Sequence, residues 1–241
     1  MFPSPFTLHY QRISHMADLL DAIEIETGTD PTATIIWMHG LGADGNDFAP
    51  VVPELDLRGA PGVRFIFPHA PMMPVTINNG YVMRAWYDVT FGDLEGRSRK
   101  ADEKGVRASQ AAVGRLIARE NQRGIASRNI VVAGFSQGGA IALQTGLRYP
   151  DRLAGIMALS TYLPLADSLP AEASTADRDA PIFFAHGSHD PMIPLAMAAA
   201  SRARLVELGY QVEWHEYPMQ HSVCPEEIRD IGVWLNRVLA S

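Results

Sequence analysis

The sequence predicts an α/β fold: one mostly parallel central sheet with helices on both faces. Three observations predict it. Short β-branched runs alternate with helix-period segments along the 241-residue chain, which is the signature of repeated strand–helix units. Several runs, among them IIWM, VRFIF, NIVVAG and PIFFAH, are apolar almost throughout, as strands covered on both faces must be. The chain is 47% apolar and 20% charged, and this length is enough to bury one sizeable core in a single domain.

The strands are expected at 22–26, 33–39, 63–68, 129–134, 153–160, 181–186 and 211–217. Helices fall between them. Over 102–121 apolar residues recur at Val106, Val113, Leu116 and Ile117, one face of a 3.6-residue period. The Ala- and Leu-rich segment 137–149 stops before Pro150, because the residue preceding a proline is pushed out of the helical region. A third helix, 194–208, ends at Gly209, a favoured residue just past a helix C-terminus. The last starts at Pro225, with Glu226 and Glu227 suiting the positive end of its dipole. Its apolar face is Ile228, Ile231, Trp234, Leu235 and Val238.

Two segments resist assignment. Residues 69–100 hold turn residues, two tyrosines and Trp86; long irregular insertions of this kind are often lids or binding loops. Residues 162–180 read as a surface connection. Residues 1–15 are expected to be a poorly ordered N-terminal extension, with Met16 as an alternative start, and 16–241 a single domain.

Composition excludes several functions. The formal charge is -7, from 20 basic and 27 acidic residues. An acidic chain with scattered lysines and arginines does not match a nucleic-acid phosphate backbone. Its densest basic patch, Arg97, Arg99 and Lys100, reads as a solvated loop. With Cys224 as the single cysteine, there is no internal disulfide, zinc finger or CxxC pair, which fits a reducing compartment and a cytoplasmic location. No apolar run approaches a membrane span, and MFPSPFTLHYQRISHM lacks the basic and apolar regions of a signal peptide. No metal-ligand spacing or phosphate loop is present, so no cofactor is expected.

The chemistry centres on AGFSQGGA, residues 133–140. Gly134-Phe135-Ser136-Gln137-Gly138 matches G-x-S-x-G, a weak signal alone. Here a buried strand leads in and a helix leads out, the setting of a nucleophile elbow. Glycines are needed where backbone packs tightly around the serine, and the helix N-terminus turns backbone N–H groups toward an oxyanion. A serine hydroxyl needs a base and an orienting carboxylate, which on this sheet order follow as acid, then histidine. Asp190 sits in the loop after strand 181–186, and His221 in the loop after 211–217. Ligands collect at that edge of open α/β sheets.

Competing residues fit less well. Asp167, Asp177 and Asp179 are delivered by no strand and read as solvated loop carboxylates. His186 and His189 break the expected order, His215 lies within a strand, and His39 and His69 read as loop anchors. Cys224 follows His221 closely, but an attacking group belongs at the elbow, so it reads as a small buried or helix-capping residue. The second oxyanion donor is expected from the loop after an earlier strand, which points to the backbone N–H of Leu41 in His39-Gly40-Leu41-Gly42, alongside that of Gln137.

HGLGADGNDF (39–48), PHAPMMPVTINNGYVMRAWYD (68–88), AGFSQGGA (133–140), HGSHDPMIP (186–194) and MQHSVCPEEI (219–228) together resemble the phospholipase/carboxylesterase family, in order from about Leu20 to Leu239. The resemblance implies an α/β-hydrolase fold and the same triad of Ser136, Asp190 and His221, with Leu41 and Gln137 as oxyanion donors. It also implies that the 69–100 insertion borders an acyl pocket, with Trp86 and Leu163 as substrate-binding residues. Gln220 departs from the glycine more usual before the catalytic histidine. The expected activity is that of a serine carboxylesterase on small or lipid-like acyl esters, without stable membrane insertion. Acyl-protein thioesterase or lysophospholipase activity on longer chains is the alternative. A homodimer is a further expectation of the resemblance, though no apolar stripe marks its interface.

Overall fold

The computed structural model describes residues 19–60, 62–90 and 102–240. Among the described residues, seven strands form one sheet in the order β1-β3-β2-β6-β7-β8-β9. They are β1 Ala22–Glu26, β2 Ala33–Met38, β3 Val63–Pro68, β6 Ile130–Phe135, β7 Gly155–Leu159, β8 Ile182–Gly187 and β9 Val212–Tyr217. Only β1 runs antiparallel, pairing Ala22 with Pro68 through Glu26 with Arg64. All other neighbours are parallel. This is the mostly parallel sheet that the sequence predicts, with all seven strands at the expected places.

The central strands are buried on both faces, and successive residues feed two separate cores. In β2, Ile36 and Met38 join one cluster while Ile35 and Trp37 join the other; in β8, Phe184 and Phe183 divide in the same way. The first face is covered by α1 Glu103–Gln122, α2 Gln137–Gly146 and α4 Leu195–Glu207, through residues such as Leu116, Leu143 and Leu205. The second is covered by α5 Pro225–Leu239, through Ile231, Trp234 and Leu235, and by a 3₁₀ turn at Ala49–Glu54. Edge strand β9, VEWHEY, is less buried and carries two glutamates, which discourage pairing with another strand.

Helix ends follow the chemistry of their sequences. The Asp102 side chain caps α1 by accepting from Gly105 N (2.9 Å), and it also accepts from Asp88 N (3.0 Å). Pro225 opens α5, and Gly209, at φ 86°, follows α4 in the left-handed region.

Two segments differ from expectation. Within 69–100, the described residues include a separate antiparallel hairpin, β4 Met72–Val75 and β5 Tyr81–Arg84. Asn79 and Gly80 turn it with φ of 55° and 75°. That Asn-Gly pair is a hairpin signal in the sequence; the flanking strands are short and one carries Pro74, which weakens their pattern. Residues 162–180 are not simply a surface connection. Leu163 and Leu169 are buried, α3 Leu169–Glu172 forms there, and Asp177 is 1% exposed. Residues 1–18 and the basic patch at Arg97, Arg99 and Lys100 lie outside the described residues.

Candidate active site

Strand β6 ends at Phe135 and α2 starts at Gln137, leaving Ser136 alone in the turn with φ 56° and ψ -120°. A non-glycine residue with positive φ is strained and persists only where its surroundings over-determine it. Here they do. Ser136 N donates to Leu159 O (2.8 Å), while Ser136 O accepts from Thr161 Oγ1 (2.7 Å) and Ala140 N (3.1 Å). Any Cβ on Gly134 would lie 2.2 Å from the Gly138 carbonyl carbon and oxygen, so only glycine lets strand and helix meet this closely.

Ser136, His221 and Asp190 come together in one line. The Ser136 hydroxyl donates to His221 Nε2 (2.9 Å), and His221 Nδ1–H donates to Asp190 Oδ2 (2.7 Å). An acceptor-only carboxylate at Nδ1 selects the tautomer that leaves Nε2 free to accept. The other Asp190 oxygen, Oδ1, accepts from Met192 N (2.8 Å) and Ile193 N (2.9 Å), and its side chain is fully buried. The two loops touch because Gly187 has no side chain: a Cβ there would come within 2.3 Å of Gln220 O. Ser188 N to Tyr217 O and His189 N to Met219 O complete the join. Phe135 packs its ring beside the His221 imidazole, 4.8 Å between centroids.

The loop after β2 lies against the nucleophile. A Cβ on Gly40 would stand 3.4 Å from Ser136 Cβ, which places Leu41 next to the elbow. Gln137 is the first residue of α2, so its N–H has no helical acceptor. His39 holds this loop as a neutral ring: Nδ1–H donates to Gly40 O (2.7 Å) and Nε2 accepts from Ala70 N (3.0 Å). Burial pushes its pKa down to about 4. Gly42 N donates to Arg84 O (2.9 Å), tying the loop to the hairpin. His69 accepts from Gly45 N (3.0 Å), so both histidines are the loop anchors expected.

Trp86 and Leu163 are both buried and belong to the same apolar cluster. Trp86 also has a structural task that the sequence does not reveal: its indole N–H donates to His39 O (2.8 Å). The Gln137 side chain is a second one. Its Oε1 accepts from Trp86 N (3.0 Å) and its Nε2 donates to Tyr87 O (2.7 Å), and Ser109 Oγ donates to Trp86 O. No local pattern marks such an amide clamp, since its partners lie about fifty residues away.

The competing residues have other roles, although His186 Nε2 lies 3.6 Å from Asp190 Oδ2. His186 is buried with Nε2–H donating to Ile193 O (2.9 Å), and burial lowers its pKa. His215 stacks on Phe183 within the sheet. Cys224 is the residue before α5, and burial raises its thiol pKa. Asp177 is the correction: rather than a solvated carboxylate, it is buried, accepts from Leu153 N (2.7 Å), and is raised by desolvation to about 6. The buried backbone N–H of Leu153, two residues before β7, needs an acceptor, which sequence proximity did not show.

Fold and site together define a serine hydrolase of the α/β-hydrolase class. The family model described as Phospholipase/Carboxylesterase matches residues 20–239, and the chain belongs to that family. It is 36% identical over 238 residues to acyl-protein thioesterase 1 of Cryptococcus neoformans var. neoformans serotype D, covering 93% of this chain and all of that protein. To acyl-protein thioesterase 1 of Neurospora crassa it is 42% identical over 216 residues, covering 86% and 87%. Among solved structures, Arabidopsis thaliana SOBER1 superposes with a TM-score of 0.79 at 31% identity, covering 86% of this chain and 99% of that one.

Proposed function

We propose that this chain hydrolyses acyl thioesters, with Ser136 as nucleophile, His221 as base and Asp190 as its orienter. The observation that carries the chemistry is the continuous hydrogen-bonded line from the Ser136 hydroxyl to the Asp190 carboxylate. The choice of thioester over simple ester rests on the acyl-protein thioesterases to which nearly the whole chain is similar.

In this mechanism Ser136 Oγ attacks the acyl carbonyl while His221 Nε2 takes its proton. The Asp190 carboxylate stabilises the imidazolium that results. Leu41 N–H and Gln137 N–H hold the oxyanion. Collapse expels the thiol, which receives the proton from His221. Water then attacks the acyl-enzyme with His221 again as base, returning Ser136 and releasing the carboxylic acid. Trp86 and Leu163 border the acyl group. A long acyl chain fits the apolar side chains left exposed on the hairpin beside the oxyanion loop, Met72, Tyr81 and Val82.

The family description also favours a second reading, a carboxylesterase of short oxyesters through the same residues. An acyl-chain series of thioesters and oxyesters separates the two. The expected result is kcat/KM rising with chain length on thioesters; turnover confined to short oxyesters would replace this proposal with the second. A fluorophosphonate probe should label Ser136, and an unlabelled protein would mark a non-catalytic scaffold.

A further inference from the structure

We propose that an open-mouthed cavity between α1 and the far end of α2 is a second binding site, built for a small tetrahedral oxyanion such as phosphate. The cavity has a volume of about 320 Å³ and is lined by Arg107, Gln110, Thr145, Arg148 and Tyr149, with Ala111, Gly114 and Pro150 completing the wall. Helix α2 is ten residues long, so this end lies roughly 15 Å along the helix from Ser136. The site is therefore separate from the catalytic edge.

Two buried polar atoms on this wall have no partner among the described residues: Arg148 Nη1 and Thr145 Oγ1. The Arg148 side chain is 3% exposed and Thr145 1%. Buried donors left unpaired are costly, so each such group in a folded protein calls for an explanation. The rest of Arg148 is fully used. Its Nε donates to Glu172 Oε2 (2.7 Å), and its Nη2 to Leu165 O (3.1 Å) and Ser168 Oγ (3.2 Å). Gln110 Oε1 is taken by Gln144 Nε2 (2.8 Å), which leaves its amide nitrogen as the remaining donor.

Charge favours an anion. Glu172 is shared between Arg148 and Arg107, whose Nη2 donates to its Oε1 (2.7 Å). These contacts, with Arg107 the strongest, hold the Glu172 carboxyl down at about 2. Glu103 also pairs with Arg107 (2.8 Å), so the four groups balance formally, but Glu103 is the most exposed of them and Arg148 the most buried, which leaves the Arg148 guanidinium as the least screened charge of the cluster. Burial destabilises the Arg148 cation, and a bound anion would offset that cost. Geometry selects the class of anion. With Nε and Nη2 occupied, Arg148 cannot present the two-pronged fork that a planar carboxylate prefers. It has one free prong, and Thr145 and Gln110 add single donors from two further side chains, which suits an anion whose oxygens are bound one by one rather than as a planar pair.

The test is titration of the full-length protein with inorganic phosphate at constant ionic strength, read by calorimetry and by thermal midpoint, which a ligand of the folded state raises. Saturable binding is expected in the native protein. Thr145→Val should weaken it about 10-fold or more, the usual effect of losing a hydrogen bond to a charged group. Without phosphate this variant should keep or exceed the native midpoint, because it removes an unpartnered hydroxyl. Arg107→Gln, at a half-exposed position, should also weaken binding, and both variants should keep esterase turnover. Absence of saturable binding, or equal binding by Thr145→Val, would overturn the site. Acetate binding as well as phosphate would overturn its tetrahedral selectivity.

Discussion

The two ends of the sheet each bury a carboxylate, and they treat it in opposite ways. At the end where the parallel strands begin, Glu120 is 0% exposed and has four donors. Oε2 accepts from Arg64 Nη1 (2.8 Å) and Thr34 Oγ1 (3.0 Å), and Oε1 from Arg119 Nε (3.2 Å) and Arg123 Nη1 (3.1 Å). Glu24 and Glu26 balance the same arginines from β1. At the end where the strands finish, Asp190 is met by two backbone N–H groups and one imidazole. Glu120 thus has permanent cations. Asp190 has an imidazole partner, which on the proposed mechanism becomes a cation when it takes the Ser136 proton. The first arrangement locks α1 onto the sheet; on the proposed mechanism the second keeps its electrostatic complement for the moment of reaction.

The comparison is tested most severely at Asp190. Asp190→Asn should lower kcat by about 10⁴-fold on the proposed mechanism, because the amide no longer selects the tautomer. The thermal midpoint should stay near the native value, and steady-state kinetics beside a melting curve check both. A large stability loss with turnover retained would reverse the contrast. Glu120→Ala should do the opposite. Removing the buried partner from this network, with Glu24 and Glu26 still holding the arginines, should cost up to about 3–5 kcal/mol, while kcat in the folded fraction stays close to native; urea unfolding followed by kinetics measures the two separately.

A third buried carboxylate has neither arrangement. Glu227, in the first turn of α5, is 0% exposed and neither of its oxygens makes a well-formed hydrogen bond among the described residues, the Cys224 backbone N–H giving it only a weak contact. Burial raises its pKa from 4.5 to about 8. The folded protein therefore holds a proton that the unfolded chain releases between those values, so this contribution to stability falls as pH rises from 4.5 to 8. The slope approaches about 1.4 kcal/mol per pH unit within that window. Glu227→Gln should flatten it and be the more stable form at pH 8, as urea midpoints measured across pH would show. The smallest effect is expected at Trp86→Phe, which removes the indole donor to His39 O. It should cost about 1 kcal/mol of stability and lower kcat more than it raises KM, because the displaced loop carries Leu41.

Much of the candidate site was legible because it depends on local order. A strand, a glycine-flanked serine and a helix make the elbow, and Asp190 and His221 each follow a strand toward the same edge. Legibility failed where contacts join distant segments. The Gln137 amide clamp on residues 86 and 87, the burial of Asp177 under Leu153 N, and the unpartnered atoms of Thr145 and Arg148 have no periodicity or spacing to announce them. The β4–β5 hairpin stood between: Asn79-Gly80 signalled it, but strands this short are outweighed by their loop-like surroundings.

By itself, then, the sequence determined the sheet order's raw material: seven apolar runs, the helices between them, and the three side chains carried to one edge in the order serine, acid, histidine. It could do so because apolar periodicity and turn chemistry act over a few residues. The tertiary structure alone decided which buried carboxylates receive permanent cations, which wait for a proton, and which stay unpaired. Those outcomes depend on where side chains from distant segments meet once water has been excluded, and desolvation has no sequence-local signature.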